Sequence, residues 1–167
     1  GKHFAHNNLV EEVRRIIVET RISPSCLKLE ITESAVMENA ERTIAMLKQL
    51  KELGVQLSID DFGTGYSSLS YLHRFPIDTL KVDRSFVNLI GAEGEHSEII
   101  QTIITLAFHL GMDVVAEGVE TAEQLAFLRQ VNCSYGQGYF YSRPVTNLVA
   151  AKMIEELKEE EFGFSNY

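Results

Sequence analysis

Two aspartates stand side by side, Asp60-Asp61, and Phe62-Gly63-Thr64-Gly65 follow them. Neighbouring carboxylates repel and need compensation. A solvated turn provides it through water, since Asp and Gly are ordinary turn formers. A divalent cation held by oxygen ligands provides it directly. Other residues bear on the choice. Glu30, Lys81 and Glu117 stand at or near the ends of the apolar runs LKLEI, TLKVD and DVVAEG, and Gln137 stands in SYGQGYFYSRP. Glu33, Asp83, Glu120 and Arg143-Pro144 lie close by. Carboxylate, carboxylate pair, lysine, carboxylate and amide on successive runs describe a polar rim. Glu30, Asp60, Asp61 and Glu117 are hard oxygen ligands suited to Mg2+, Mn2+ or Ca2+, and the chain lacks a Cys/His set for structural zinc. An aspartate shared by two ions is a two-metal device. Lys81 among such acids would orient a nucleophilic water or neutralise charge on a phosphoryl oxygen; equally, it could form a purely structural ion pair.

The remaining polar residues have plainer readings. Glu33 and Glu120 are expected as supporting hydrogen-bonders or surface residues. His3, His6, His73, His96 and His109 are scattered. Gly63-Thr64-Gly65 follows acids and lacks the G-x-G-x-x-G pattern, which argues against a dinucleotide loop. Phe62, Tyr66 and Leu69 are expected to pack a mobile loop.

These residues need elements to position them. Strands are expected over Leu27–Ile31, Val55–Ile59, Thr79–Val82, Asp113–Ala116 and Tyr135–Tyr141. Between them lie helical patterns. In LVEEVRRIIVET, Leu9, Val10, Val13, Ile16 and Ile17 share a face, with Asn8 and Glu11 placed as a capping box. Asn39–Leu53 repeats the spacing and stops at Gly54; residues 97–110 repeat it and stop at Gly111. Thr121 opens a further helix through a T-x-x-Q box, and Thr146 opens the last. Alternating strands and helices predict an α/β fold with parallel strands, either an open doubly wound sheet or a (β/α) barrel. At the strand C-termini of either fold, ligands bind.

The bulk composition narrows the class. The chain has 167 residues, 45% of them hydrophobic and 23% charged, as expected of one globular domain. No apolar run approaches the ~18 residues of a membrane span. Cys26 and Cys133 show no metal-type spacing, which favours a reduced, cytoplasmic setting. The net charge of −9 argues against a nucleic acid polymer or an anionic membrane as partner.

With these residues laid out, the chain resembles the EAL domain of bacterial cyclic di-GMP phosphodiesterases. The resemblance rests on LEITES (29–34), DDFGTGYSSLSYL (60–72), LKVDRSFV (80–87), VVAEGVET (114–121) and QGYFYSRP (137–144). It implies a TIM-type (β/α) barrel and hydrolysis of cyclic di-GMP to linear pGpG with Mg2+ or Mn2+ in a two-metal site. Carried over by position, it implies that Glu30 and Asp60 bind a first metal, that Asp60 and Asp61 link it to the second, and that Glu117 is a further metal ligand. Lys81 and Glu117 resemble the pair that holds and deprotonates the attacking water. Glu33 resembles the residue that steadies the loop containing Gly63, Thr64 and Gly65. Gln137 resembles a residue near substrate, and Asp83, Arg143 and Pro144 are further expected substrate contacts. The resemblance also implies a homodimer through the EAL domain, and a sensory or GGDEF domain fused upstream.

One departure stands out. The tripeptide Glu-Ala-Leu is absent, and the resemblance places it on a strand ahead of Gly1, together with an asparagine ligand on the strand after it. The expected architecture is therefore an incomplete barrel of about five strands: residues 1–160 form a partial EAL domain without its first strands, and residues 161–167 form a C-terminal tail. Two alternatives to catalysis stay open. One is an inactive module that binds cyclic di-GMP; the other is a module for EAL–EAL interaction.

Overall fold

The computed structural model describes residues 9–65, 69–91 and 97–163. Helix α1 (Leu9–Thr20) leads through a 3-10 turn (Pro24–Cys26) to β1 (Lys28–Thr32), α2 (Glu33–Glu38), α3 (Ala40–Glu52) and β2 (Gln56–Phe62). Then come α4 (Leu69–Leu72), β3 (Thr79–Val82), α5 (Arg84–Val87), α6 (Ser97–His109), β4 (Asp113–Glu117), α7 (Ala122–Gln130), β5 (Tyr135–Gln137) and α8 (Asn147–Gly163). Asn8, His3, His6, His96, Tyr66 and residues 164–167 of the expected tail lie outside the described residues. Helix α8 runs on to Gly163, past position 161 where that tail was expected to start.

All five strands are parallel and pair in the order β1-β2-β3-β4-β5. A doubly wound sheet reverses its strand order at a switch point. This sheet does not, and its single-direction winding is that of a (β/α) barrel segment. Alternation sorts the strand residues onto two faces. Ile31, Leu57, Ile59, Leu80, Val82, Val114 and Ala116 join the hydrophobic core with Leu47, Leu50, Ile100 and Ala107 of the helices. Glu30, Ser58, Asp60, Thr79, Lys81 and Glu117 occupy the alternate positions.

Local chemistry sets the helix ends. Asn39 caps α3 by accepting from the Arg42 N–H, and the Gly54 N–H closes that helix on the Lys51 carbonyl at 2.9 Å. Thr121 and Gln124 form the reciprocal box at the start of α7. The three short helices α2, α4 and α5 were not foreseen; each is four to six residues, too short to display a helical period.

The fifth strand ends earlier than its apolar run. β5 stops at Gln137, not Tyr141, because the backbone of Gly138 packs on the backbone of Val119 so closely that a Cβ would overlap it. The chain then turns, with Tyr141 N–H donating to the Gly138 carbonyl at 3.1 Å.

Candidate active site

Lys81 is the hub of the polar rim. Its side chain is 10% exposed, and its Nζ donates to Asp60 Oδ1 at 2.8 Å, to Glu117 Oε1 at 2.8 Å and to Glu30 Oε2 at 2.9 Å. These partners come from β2, β4 and β1, so one ammonium ties four adjacent strands together. Burial disfavours the charged lysine, but the hydrogen bonds it donates to Asp60, Glu117 and Glu30 outweigh it and raise the Lys81 pKa well above an ordinary lysine. The three carboxylates thus favour the protonated lysine.

Asp60 and Asp61 both belong to β2, where strict alternation would send them to opposite faces. The β2–β3 register shifts between Ile59 and Phe62, and Asp61 adopts φ 55, in the left-handed region. Asp is among the few non-glycine residues that enter that region readily. This β-bulge re-aims the second carboxylate. As a result Asp60, Asp61 and Glu117 each present an oxygen, with all three oxygens within 4.8 Å of one another. Three hard oxygen donors at that separation fit Mg2+, Mn2+ or Ca2+. Glu30 is not part of this trio; it reaches the group through Lys81.

Glu33 sits at the start of α2, 3% exposed. Its Oε2 accepts from Gly63 N–H at 2.8 Å and from Gly65 N–H at 3.2 Å, holding the turn after β2 from below. Thr64 closes the same turn, its Oγ1 donating to the Asp61 carbonyl at 2.8 Å.

The outer residues are placed differently. Gln137 stands opposite Glu117 in the β4–β5 register and is exposed. Asp83 caps α5, accepting from Ser85 N–H at 2.9 Å. Arg143 lies over the Tyr139 ring, 4.7 Å from its centroid, and Pro144 is exposed beside it. Of these four, Gln137 is tied to the ion-paired group by its register with Glu117. His73 and His109 are exposed and apart from it, and Glu120 is exposed with its N–H bonded to Gln124 Oε1.

Two features escaped the sequence reading. Lys28 reaches from β1 to Thr79 Oγ1 on β3 at 3.0 Å, two residues below the Glu30–Lys81 contact. Ser58, between those strands, is fully buried with no hydrogen-bond partner for its Oγ among the described residues. Strand alternation was the available signal, since Lys28, Ser58 and Thr79 precede Glu30, Asp60 and Lys81 by two. The other feature is the second arm of Gln124, whose Nε2 donates to the Val87 carbonyl at 3.3 Å; nothing in the sequence marks it.

Comparison with known proteins completes the description of the site. The family model described as EAL domain matches residues 1–144. The cyclic di-GMP phosphodiesterase NbdA of Pseudomonas aeruginosa is 55% identical over 145 residues, covering 87% of this chain and 18% of NbdA. The solved c-di-GMP complex of PaMucR phosphodiesterase superposes with a TM-score of 0.84 at 43% identity, over 88% of this chain and 60% of that one. The manganese and cyclic di-GMP complex of Klebsiella pneumoniae BlrP1 gives 0.76 at 37% identity, over 83% and 36% of the two chains. The chain spans about a fifth of the length of the curated relatives it matches first.

Proposed function

The chain belongs to the EAL domain family, and from that premise we propose that its polar rim performs metal-dependent hydrolysis of cyclic di-GMP to linear pGpG. The observation that supports this most is the convergence of Asp60, Asp61 and Glu117 around one point, with Lys81 bonded to two of them. Asp60, Asp61 and Glu117 would hold a divalent ion, and Glu30 with Asp60 would serve a second. Such ions supply Lewis acidity at a phosphoryl oxygen and an acidified water. Mg2+ or Mn2+ is the expected choice.

The division of labour between Lys81 and Glu117 follows from charge. With its ammonium bonded to Asp60, Glu117 and Glu30, Lys81 would serve as a hydrogen-bond donor that orients the attacking water. Proton removal from the attacking water therefore falls to the Glu117 carboxylate, as general base. Water adds to phosphorus, the bond from phosphorus to the 3′ oxygen breaks, and that oxygen leaves as a hydroxyl after taking up a proton. Gln137, opposite Glu117 in the strand register, would contact substrate, as would Asp83, Arg143 and Pro144. Glu33 with Gly63, Thr64 and Gly65 fixes the turn from which Asp61 projects.

A second reading has one observation in its favour. Glu30 stands outside the carboxylate trio and is engaged by Lys81, an arrangement compatible with cyclic di-GMP binding without turnover. A homodimer, a sensory or GGDEF partner domain and a cytoplasmic setting belong to the same proposal. Among the described residues no helix is long and apolar enough to cross a membrane.

Chromatography of cyclic di-GMP incubated with the chain and Mn2+ tests the reading. Formation of pGpG that disappears in Glu117→Gln supports hydrolysis. Binding without product supports the second reading and sinks the first.

A further inference from the structure

We propose that Gln124 is a positioning residue for the Lys81–Glu117 pair, holding together the two segments that leave the ends of β3 and β4; this rests on the phosphodiesterase reading above. Lys81 lies one residue before the end of β3, and the chain passes through Asp83 into α5, which ends at Val87. Glu117 ends β4, and residues 118–121 lead from it to α7. The strand ladder aligns Lys81 with Val115 and Val82 with Ala116, and there the rungs between these strands stop. Beyond that point something else must keep the segments together.

Gln124 does so with one planar amide, 6% exposed. Its Oε1 accepts from Glu120 N–H at 2.7 Å and from Thr121 N–H at 3.1 Å, which grips the segment after Glu117. Its Nε2 donates to the Val87 carbonyl at 3.3 Å, the last residue of α5. Helix capping accounts for the first grip, and a glutamate would provide it as well as a glutamine. Capping does not account for the second, which only the amide nitrogen can make. The Glu117 segment is also fixed from its other side, with Val119 N–H donating to the Gln137 carbonyl at 3.0 Å and Phe140 N–H to the Val119 carbonyl at 2.9 Å. Gln124 thus closes a brace running from α5 through the Glu117 segment to the segment after β5. Its two anchors follow the two residues whose side chains meet at 2.8 Å.

The two arms can be separated by substitution. Gln124→Glu keeps the acceptor for Glu120 and Thr121 and loses the donor to Val87. Thr121→Ala removes the other half of the cap, its Oγ1 accepting from Gln124 N–H at 3.2 Å, and leaves the Val87 arm in place. Mn2+ affinity, measured by calorimetry beside the thermal midpoint of each variant, reads the position of Glu117 without requiring turnover. Expected is a weakening of about tenfold for Gln124→Glu, as for outer-sphere partners of metal ligands, with Thr121→Ala within about twofold of the unaltered chain although its midpoint falls. Equal affinities in Gln124→Glu and the unaltered chain, or equal losses in both variants, would overturn the proposal and leave Gln124 a helix cap. So would an unaltered chain that binds no Mn2+. A measurement on the unaltered chain stands in if Gln124→Glu does not fold: Mn2+ should slow amide exchange in α5 and at Glu120–Thr121 together, and protection confined to the latter would overturn the brace. Absence of pGpG with these affinity differences intact would refute the hydrolytic reading alone.

Discussion

Lys81 Nζ and Glu117 Oε1 lie 2.8 Å apart across the β3–β4 seam, and the same ammonium reaches Asp60 and Glu30. One cation thus stands against a group of carboxylates that would otherwise face one another. Replacing it by Lys81→Met should destabilise the fold on the order of 2 kcal/mol, less than a fully buried pair because Glu30 is half exposed. Mn2+ should then raise the thermal midpoint of the variant more than that of the unaltered chain, since the ion takes over the missing charge. An equal rise in both would show that Lys81 and the ion do not share the carboxylates.

Glu33 supports the turn that carries Asp61. Glu33→Gln keeps an acceptor oxygen but loses the charge behind two backbone bonds, at a cost of about 1 kcal/mol. Amide exchange at Gly63 and Gly65 should accelerate. Unchanged exchange there would mean that the turn holds its shape without the carboxylate.

Asp78 does comparable work at the opposite, N-terminal ends of the strands. Its carboxylate accepts from Lys51 Nζ at 2.8 Å and from Leu57 N–H at 2.8 Å. Asp78→Ala should cost roughly 1–3 kcal/mol, the price of leaving that backbone donor without its acceptor. Mn2+ affinity should stay as it was, because the change is remote from the carboxylate trio. A large loss of affinity at unchanged stability would refute this separation.

Acid should expose Asp83. The Ser85 side chain lowers the Asp83 pKa, burial opposes the shift, and the N–H groups of Ser85 and Arg84 add to the lowering. A carboxyl lowered by folding stabilises above its unfolded pKa of about 3.9 and loses that contribution as pH falls through the folded value. The difference in midpoint between the unaltered chain and Asp83→Asn should therefore be greatest near about pH 6 and shrink toward about pH 3. A difference independent of pH would remove the linkage.

The strand starts and the long helices were legible in the sequence because their signals are local. Apolar runs such as VQLSI and TLKVD mark buried strands, and Asn39, Gly54, Gly111 and the Thr121 box mark helix ends. The grouping of Glu30, Asp60, Asp61, Lys81 and Glu117 was legible for a related reason: each strand delivers its polar residues toward the same end. What could not be read depends on contacts between distant segments. The end of β5 is set by Val119, nearly twenty residues upstream of Gly138. The joint presentation of Asp60 and Asp61 was legible from the turn at the strand end, but the register shift against β3 that produces it was not. The Gln124 side chain was legible as a cap, and its reach to Val87 was not.

The strand order has a kinetic consequence. Among the described residues each strand pairs only with its neighbours in sequence, Lys28 with Gln56, Ser58 with Thr79 and Thr79 with Asp113. The loop entropy of assembly is therefore spread over several short closures, which favours rapid folding for a parallel sheet. On the ribosome, every strand after β1 emerges to find its template already made. The sheet can grow by accretion from β1 to β5, and Glu117 and Gln137 join a rim that β1, β2 and β3 have already begun.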